Sequence, residues 1–543
     1  MPNRTIKVDG RYLIMPVEWG ETTGWLSIRQ GTTVLRELDI RLGQGTSDYE
    51  VFLDLDDFQG SELTFEHTGT ADISLSGLRF TDQPVDPIEL YQEPLRSQFH
   101  FSSRRGWNND PNGLFYYDGE YHLFYQHNPA GSDWGNMHWG SAVSTDLVHW
   151  QERPIALYPD KLGAMWSGSA VVDHHNTAGL QTGKDPAVVA IYTAAGGHSP
   201  MSEGEPFTQC LAYSNDRGRT WDKYDGNPVL GHHVGGNRDP KIIWHPETER
   251  WIMPLYMAKN DYAIFGSQNL LEWEHLSDLK LPRTTECPDL FPLPVDGDEN
   301  DIRWVFWAAN TSYYVGSFDG RTFVPEQEIK MLQPESPRFA GGSAYAAQTW
   351  SDIPAEDGRR IQISWMRQST PGMPFGQLMT IPQTLQLTNK DNGVSLSAAP
   401  VVELEKLRQE TWQSEGIELG PGSKVEAGLG GELLDIEVEI ELGNASAVGI
   451  VARGIPVWYD KRLGTLLIGK YMAQMPPRDS INLRILVDRV SLEVYADGGT
   501  IAVAAGVVLR PDDHGVYMFA SGGSALVNNV KVSRLRSAWQ VGD

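Results

Sequence analysis

Ser214-Asn215-Asp216-Arg217-Gly218-Arg219-Thr220-Trp221 is the stretch that decides the fold. A serine, then an acid or amide, then an aromatic returning to a core describes a tight turn between strands. Asp and Asn suit it because their side chains hydrogen-bond the local backbone and tolerate compact geometry. The phrase recurs as Ser144-Thr145-Asp146-Leu147-Val148-His149-Trp150, Ser267-Gln268-Asn269-Leu270-Leu271-Glu272-Trp273 and Ser317-Phe318-Asp319-Gly320-Arg321-Thr322-Phe323. The starts at 144, 214, 267 and 317 give spacings of 70, 53 and 50 residues, the size of a four-stranded propeller blade.

Between these turns lie short alternating runs bounded by Gly, Asp, Asn and Pro, with almost no helical periodicity, which predicts an all-β chain. Gly113–Tyr117 and Tyr121–Tyr125 read as a hairpin joined at Asp118-Gly119. Ala344–Trp350 with Ile361–Trp365 supplies a fifth unit, so residues 97–395 read as a five-bladed β-propeller. Residues 1–90 and 412–543 alternate in the same way and predict a small N-terminal β-sandwich and a C-terminal β-sandwich. A linker helix is expected over 400–411. At 543 residues the chain is too long for one domain.

The formal charge is −27, from 71 acidic and 44 basic residues. Such a surface repels nucleic acid and anionic membranes and favours neutral partners. Cys210 and Cys287 are the only cysteines, so there is no disulfide framework. The opening residues lack the apolar core of a signal peptide, and no apolar run approaches the roughly 20 residues of a membrane helix. A cytoplasmic protein is the plain reading, and a secreted one with its leader removed is compatible with it. His174-His175 and His232-His233 lack ligand spacing, so no metal site is expected.

Three motifs deliver carboxylates just before strand-like runs: Asn109-Asp110-Pro111-Asn112-Gly113, Arg238-Asp239-Pro240 and Glu286-Cys287-Pro288-Asp289. Trp166-Ser167-Gly168-Ser169 occupies the corresponding place in another unit. The first strand of each blade is innermost, so Asp110, Asp239 and Glu286 should converge on the central channel. Paired carboxylates are what glycoside cleavage needs. A retaining glycosidase places two carboxyls about 5–5.5 Å apart, one attacking while the other protonates the leaving oxygen. Their environments must push the two pKa values apart. Arg238 is expected to fix Asp239 by paired hydrogen bonds. Cys287 is either a small buried thiol or a group that tunes Glu286.

With Tyr121–Pro129 (YHLFYQHNP), His138–Trp150 (HWGSAVSTDLVHW), Trp166–Asp173 (WSGSAVVD), Arg238–Lys241 and Glu286–Phe291 (ECPDLF), these motifs resemble glycoside hydrolase family 32, the invertases, inulinases and levanases, over roughly 97–535. The resemblance implies a five-bladed propeller followed by a β-sandwich, and hydrolysis of terminal β-linked fructose with retention. It implies that Asp110 is the nucleophile, Glu286 the general acid/base and Asp239 the transition-state stabiliser. Asn109, Gln126, Trp134, Trp166, Ser167 and Arg238 match positions lining the fructose pocket. No cofactor or metal is implied, and the partner is a carbohydrate: levan, inulin, fructo-oligosaccharides or sucrose. Asn108 departs from an apolar family position and is expected to point away from sugar. The fifth-unit segment Trp365–Phe375 is shorter than in many invertases. The N-terminal ninety residues, absent from many members, tilt the reading towards fructan. A sucrose-preferring invertase and a levan fructotransferase are the near alternatives. The Ser214–Trp221 box also occurs in sialidases, but a −27 chain is a poor attractor for an anionic sugar. A non-catalytic fructan-binding protein is disfavoured by the three intact acids.

Overall fold

The computed structural model describes residues 3–43, 47–68, 75–83, 90–334, 342–391 and 393–539; residues 1–2, 84–89 and 540–543, at the edges of the expected domains, lie outside them. The chain is all-β. At the N-terminus a four-stranded sheet, in the order Asn3–Lys7, Glu62–His67, Gly24–Gln30, Thr33–Ile40, accompanies a three-stranded one of Tyr49–Asp54, Tyr12–Val17 and Arg79–Thr81. Successive strand side chains face opposite ways. Leu13 and Met15, Leu26 and Ile28, and Leu63 and Phe65 therefore pack into one core.

Three antiparallel meanders follow, each in sequence order. They are Gly106–Tyr117, Glu120–Asn128, His138–Ser144 and Gln151–Leu157; then Ala164–Val172, Val188–Ala195, Phe207–Ser214 and Asp222–Lys223; then Ile243–His245, Arg250–Ala258, Asp261–Ser267 and Glu274–Lys280. A fourth, running from Asp289–Val295 to Phe323–Pro325, is not a separate sheet. One parallel pairing, Val295 with Leu387, joins it to strands that include Ala344–Thr349 and Arg360–Met366. Late in the series Phe375–Gly376 adds parallel to Gly106–Trp107, tying the last unit to the first.

The repeated turn phrases share one geometry. The Asp216 carboxylate accepts from the backbone N–H groups of Arg219 and Thr220 at 3.0 and 2.8 Å. Asp146 accepts from Val148 and His149, Asn269 from Leu271 and Glu272, and Asp319 from Arg321 and Thr322. Leu147, Arg217, Leu270 and Gly320, which follow these residues, all have positive φ. The side-chain acceptor holds the chain in this left-handed turn.

The expected linker helix is corrected. Residues Val402–Leu407 form a 3-10 helix, and the strand Arg408–Leu419 begins where the helix was expected to continue. The apolar spacing explains this. Leu404 and Leu407, both fully buried, are three apart, and side chains at that interval eclipse on a three-residue turn. Two six-stranded sheets follow, beginning with Arg408–Leu419 and Lys424–Glu426, with Ile436, Ile450, Tyr459, Ile485 and Val494 between them. His100 links this C-terminal part to the earlier sheets: Nδ1 lies 2.8 Å from Asp488 and Nε2 3.1 Å from Glu493, all fully buried. Among the described residues no helix is long and apolar enough to cross a membrane.

Candidate active site

Asp110 lies in the strand Gly106–Tyr117, whose pairing with Glu120–Asn128 slips between Asn108 and Pro111 and again between Asn112 and Phe115. The slips free Asn109 and Asp110 from the ladder. Gly113 makes the return possible: with φ +52, a Cβ there would fall 2.8 Å from Trp139 and 2.9 Å from Phe124. Asp110 accepts from Asn109 Nδ2 at 3.0 Å and from Ser167 Oγ at 2.8 Å. Trp107 Nε1 donates to Asn109 Oδ1 at 2.8 Å and orients that amide.

Asp239 and Cys287 both have positive φ, 62° and 49°. For non-glycine residues this costs of order 1–3 kcal/mol and marks sites over-determined by their surroundings. Asp239 N–H donates to Thr193 Oγ1 at 3.0 Å. The carboxylate accepts from Cys287 N–H at 3.2 Å and from the Cys287 thiol at 3.4 Å. The same sulfur lies 3.7 Å from Asp110 Oδ2. Cys287 is thus the hinge between two acids, and burial together with their charges pushes its thiol pKa well up.

Glu286 is held from two sides. Arg238 donates to Oε2 through Nε, at 3.0 Å, and through Nη2, and Tyr345 OH donates to Oε1 at 2.8 Å. The expectation that Arg238 fixes Asp239 by paired bonds is therefore corrected: its nearest approach to that carboxylate is an ion pair at 3.6 Å. The left-handed turn at Asp239 sends neighbouring side chains in different directions, Asp239 to Cys287 and Arg238 to Glu286. The guanidinium is further placed over Tyr256, 4.7 Å from the ring, and lies 5.9 Å from Trp166.

Three carboxylates face one guanidinium in a buried setting. Burial raises the Asp239 pKa most, Arg238 opposes this, and the charges of Glu286 and Asp110 add to it, reaching about 7. Asp110 is also raised, by burial and then by Glu286, while Ser167, Asn109 and Cys287 pull it back.

Of the other expected residues, Ser167, Asn109 and Arg238 touch the acids directly. Trp166 packs edge-on to Trp134 at 6.1 Å and against His198 at 4.9 Å; its Nε1 is buried with no acceptor among the described residues. Trp134 is 51% exposed, a rim position and not a core one. Gln126 donates to the Met165 carbonyl at 2.9 Å, one residue from Trp166, and among the described residues makes no hydrogen bond to an acid. Asn108 is buried, its amide 3.3 Å from the Gly376 and Gln377 carbonyls. Tyr345 was missed. It opens the first strand of the fifth unit, the position the acids occupy in earlier units, and that register was the available signal. Its placement follows from backbone bonds running from Ala346 N–H to the Ala309 carbonyl and from Ala309 N–H to the Glu286 carbonyl.

Among the described residues no cluster of His, Cys, Asp or Glu is arranged to hold a metal ion. A cavity of about 400 Å³ lined by Trp244, Trp304 and Arg360 shares no residue with the carboxylate cluster, so chemistry and not volume identifies the site. The cluster orients the Asp110 carboxylate by two donors and holds Glu286 between a guanidinium and a phenol.

Residues 100–400 match the model of the glycosyl hydrolases family 32 N-terminal domain, and residues 403–534 match that of the family 32 C terminal. Among curated proteins, a levanase of Bacillus subtilis (strain 168) is 37% identical over 83% of this chain and 72% of its own length. An extracellular exo-inulinase of Aspergillus niger is 30% identical over 83% and 96%. A levanbiose-producing levanase of Bacillus subtilis is 31% identical over 82% and 92%. Among solved structures, an exo-inulinase from Aspergillus awamori superposes with TM-score 0.73 at 27% identity, covering 83% of this chain and all of that one. A fructofuranosidase from Schwanniomyces occidentalis complexed with fructose gives 0.71 at 25%, covering 84% and 100%.

Proposed function

Since this chain belongs to glycosyl hydrolases family 32 and is a glycoside hydrolase acting on fructans, we propose that it is a retaining exo-β-fructosidase. It removes terminal β-D-fructofuranosyl residues from levan, inulin and fructo-oligosaccharides, and also cleaves sucrose. The observation that carries this reading is the meeting of Asp110 and Asp239 at the Cys287 sulfur, with Glu286 held beside them by Arg238.

In this mechanism Asp110, aimed by Asn109 and Ser167, attacks the anomeric carbon of the terminal fructose. Glu286 protonates the departing oxygen, then takes a proton from the water that releases fructose. Asp239 accepts hydrogen bonds from fructose hydroxyls, and these strengthen as charge develops at the ring. A bound sugar also gives the unused Trp166 Nε1 an acceptor, and leaving such a donor buried alone costs about 1–3 kcal/mol.

Product analysis after incubation with levan, inulin and sucrose tests the reading. Fructose as the product from both polymers is expected. Difructose as the main product would replace exo with endo cleavage, and the levanbiose-producing relative makes product length the deciding readout. Transfer products would favour a fructotransferase, sucrose dominance an invertase, and no reaction would sink the proposal.

A further inference from the structure

Trp19 and Trp134 are the two tryptophans among the exposed large apolar side chains of the described residues, at 41% and 51%; Trp134 packs on Trp166, and Trp19 lines a cavity beside Trp107. Trp19 comes from the N-terminal sheets, which precede both family matches. Its ring packs on Tyr49 at 5.4 Å. A cavity of about 310 Å³ lies between Trp19 and Trp107, lined also by Ser132, Thr370 and Met373. Trp107 leads to the nucleophile candidate through Asn109, so the cavity adjoins the pocket on the Asp110 side.

The same sheets hold the loops that carry the rim aromatics. Asp39 N–H donates to Asn136 Oδ1 at 2.7 Å, and Asn136 Nδ2 returns to the Asp39 carbonyl at 2.8 Å. Arg41 pairs with Asp133 at 2.6 Å, and Ser132 N–H donates to Tyr49 OH at 3.3 Å. Met201 N–H donates to Glu37 at 2.8 Å, steadying the segment whose His198 packs on Trp134 and Trp166. Anchoring loops before a ligand arrives lowers the ordering cost of binding.

We propose that the N-terminal sheets build a distal subsite for the fructan chain beyond the bond that is cut, with Trp19 as its aromatic platform. The inference rests on the fructan reading above. Indole faces suit the apolar C–H faces of sugar rings, and the cavity sits at the lower end of ligand-site volumes. The subsite engages substrates longer than sucrose.

The test measures kcat/KM on sucrose and on β-linked fructo-oligosaccharides of increasing length, for the full chain and for Trp19→Ala. In the full chain the value rises with length. In Trp19→Ala the ratio of the longest substrate to sucrose falls about three- to tenfold, and Trp19→Phe restores most of it. An equal loss at every length would make Trp19 a mere support of the rim and overturn the subsite, as would no loss at all. If the full chain cleaves none of these substrates, the fructan reading has failed by itself. Calorimetric titration of a fructo-oligosaccharide then decides the subsite: binding that Trp19→Ala does not weaken, or no binding, overturns it.

Discussion

At Asp239 the folded chain holds a carboxyl near pH 7 that in an unfolded chain ionises at about 3.8. Between those values the folded state keeps a proton the unfolded state has lost, so stability is full below the lower value and declines as pH rises through the upper one. Asp239→Asn removes the cost of burying that charge. The advantage over the parent is expected to be small near pH 4 and to grow to a few kcal/mol above pH 7, seen as a Tm difference that grows with pH; a constant difference would contradict this. The same variant should lower kcat much more than it raises KM, because the hydrogen bonds it disturbs strengthen in the transition state. At this scale the meeting of the three acids was legible because each stands in its own short motif. The partner of Arg238 was not: Glu286 lies 48 positions away, and only the turn at Asp239 determines which carboxylate the guanidinium reaches. Tyr345 was missed for another reason: its strand carries no acid to draw attention to the register it shares with the acid-bearing strands.

The turn elements give a second kind of prediction. Asp216→Ala deletes the acceptor for two backbone N–H groups and the Thr220 hydroxyl, and should cost about 1–2 kcal/mol in denaturant unfolding without changing substrate preference. These turns were readable from sequence because their chemistry is local. The connection through His100 was not, because its partners Asp488 and Glu493 lie in a different part of the chain. Burial opposes charge on His100, but the two carboxylates outweigh it and raise its pKa to about 9. That stabilisation is fully present below the ordinary value of 6.5 and is lost as pH rises through 9. His100→Gln is expected to lower stability by about 3 kcal/mol at pH 6, with the gap to the parent narrowing as pH rises from 6.5 to 9. A gap independent of pH would mean that packing, not charge, holds this junction. The linker was misread because its two buried leucines fit both a long helix and a single 3-10 segment, and the strand that follows ended it early.

Across the whole molecule, periodic turns and alternating strands were enough to predict an all-β chain, because both are properties of neighbouring residues. The merging of the fourth and fifth units into one sheet depends on a single long-range pairing, Val295 with Leu387, which no local pattern announces. Closure by Phe375–Gly376 on Gly106–Trp107 is equally non-local, and it brings the fifth unit beside the strand that bears Asp110. In the proposed mechanism this convergence makes Asp110 the nucleophile. Glu286→Gln incubated with a nitrophenyl β-fructoside tests it most directly, since that leaving group departs without an acid while release of the sugar lacks its base. Peptide mass spectrometry should find a fructosyl ester on Asp110, and Asp110→Ala should form none. A sugar on Asp239, or fructose released with inverted configuration and no labelled carboxylate, would overturn that assignment.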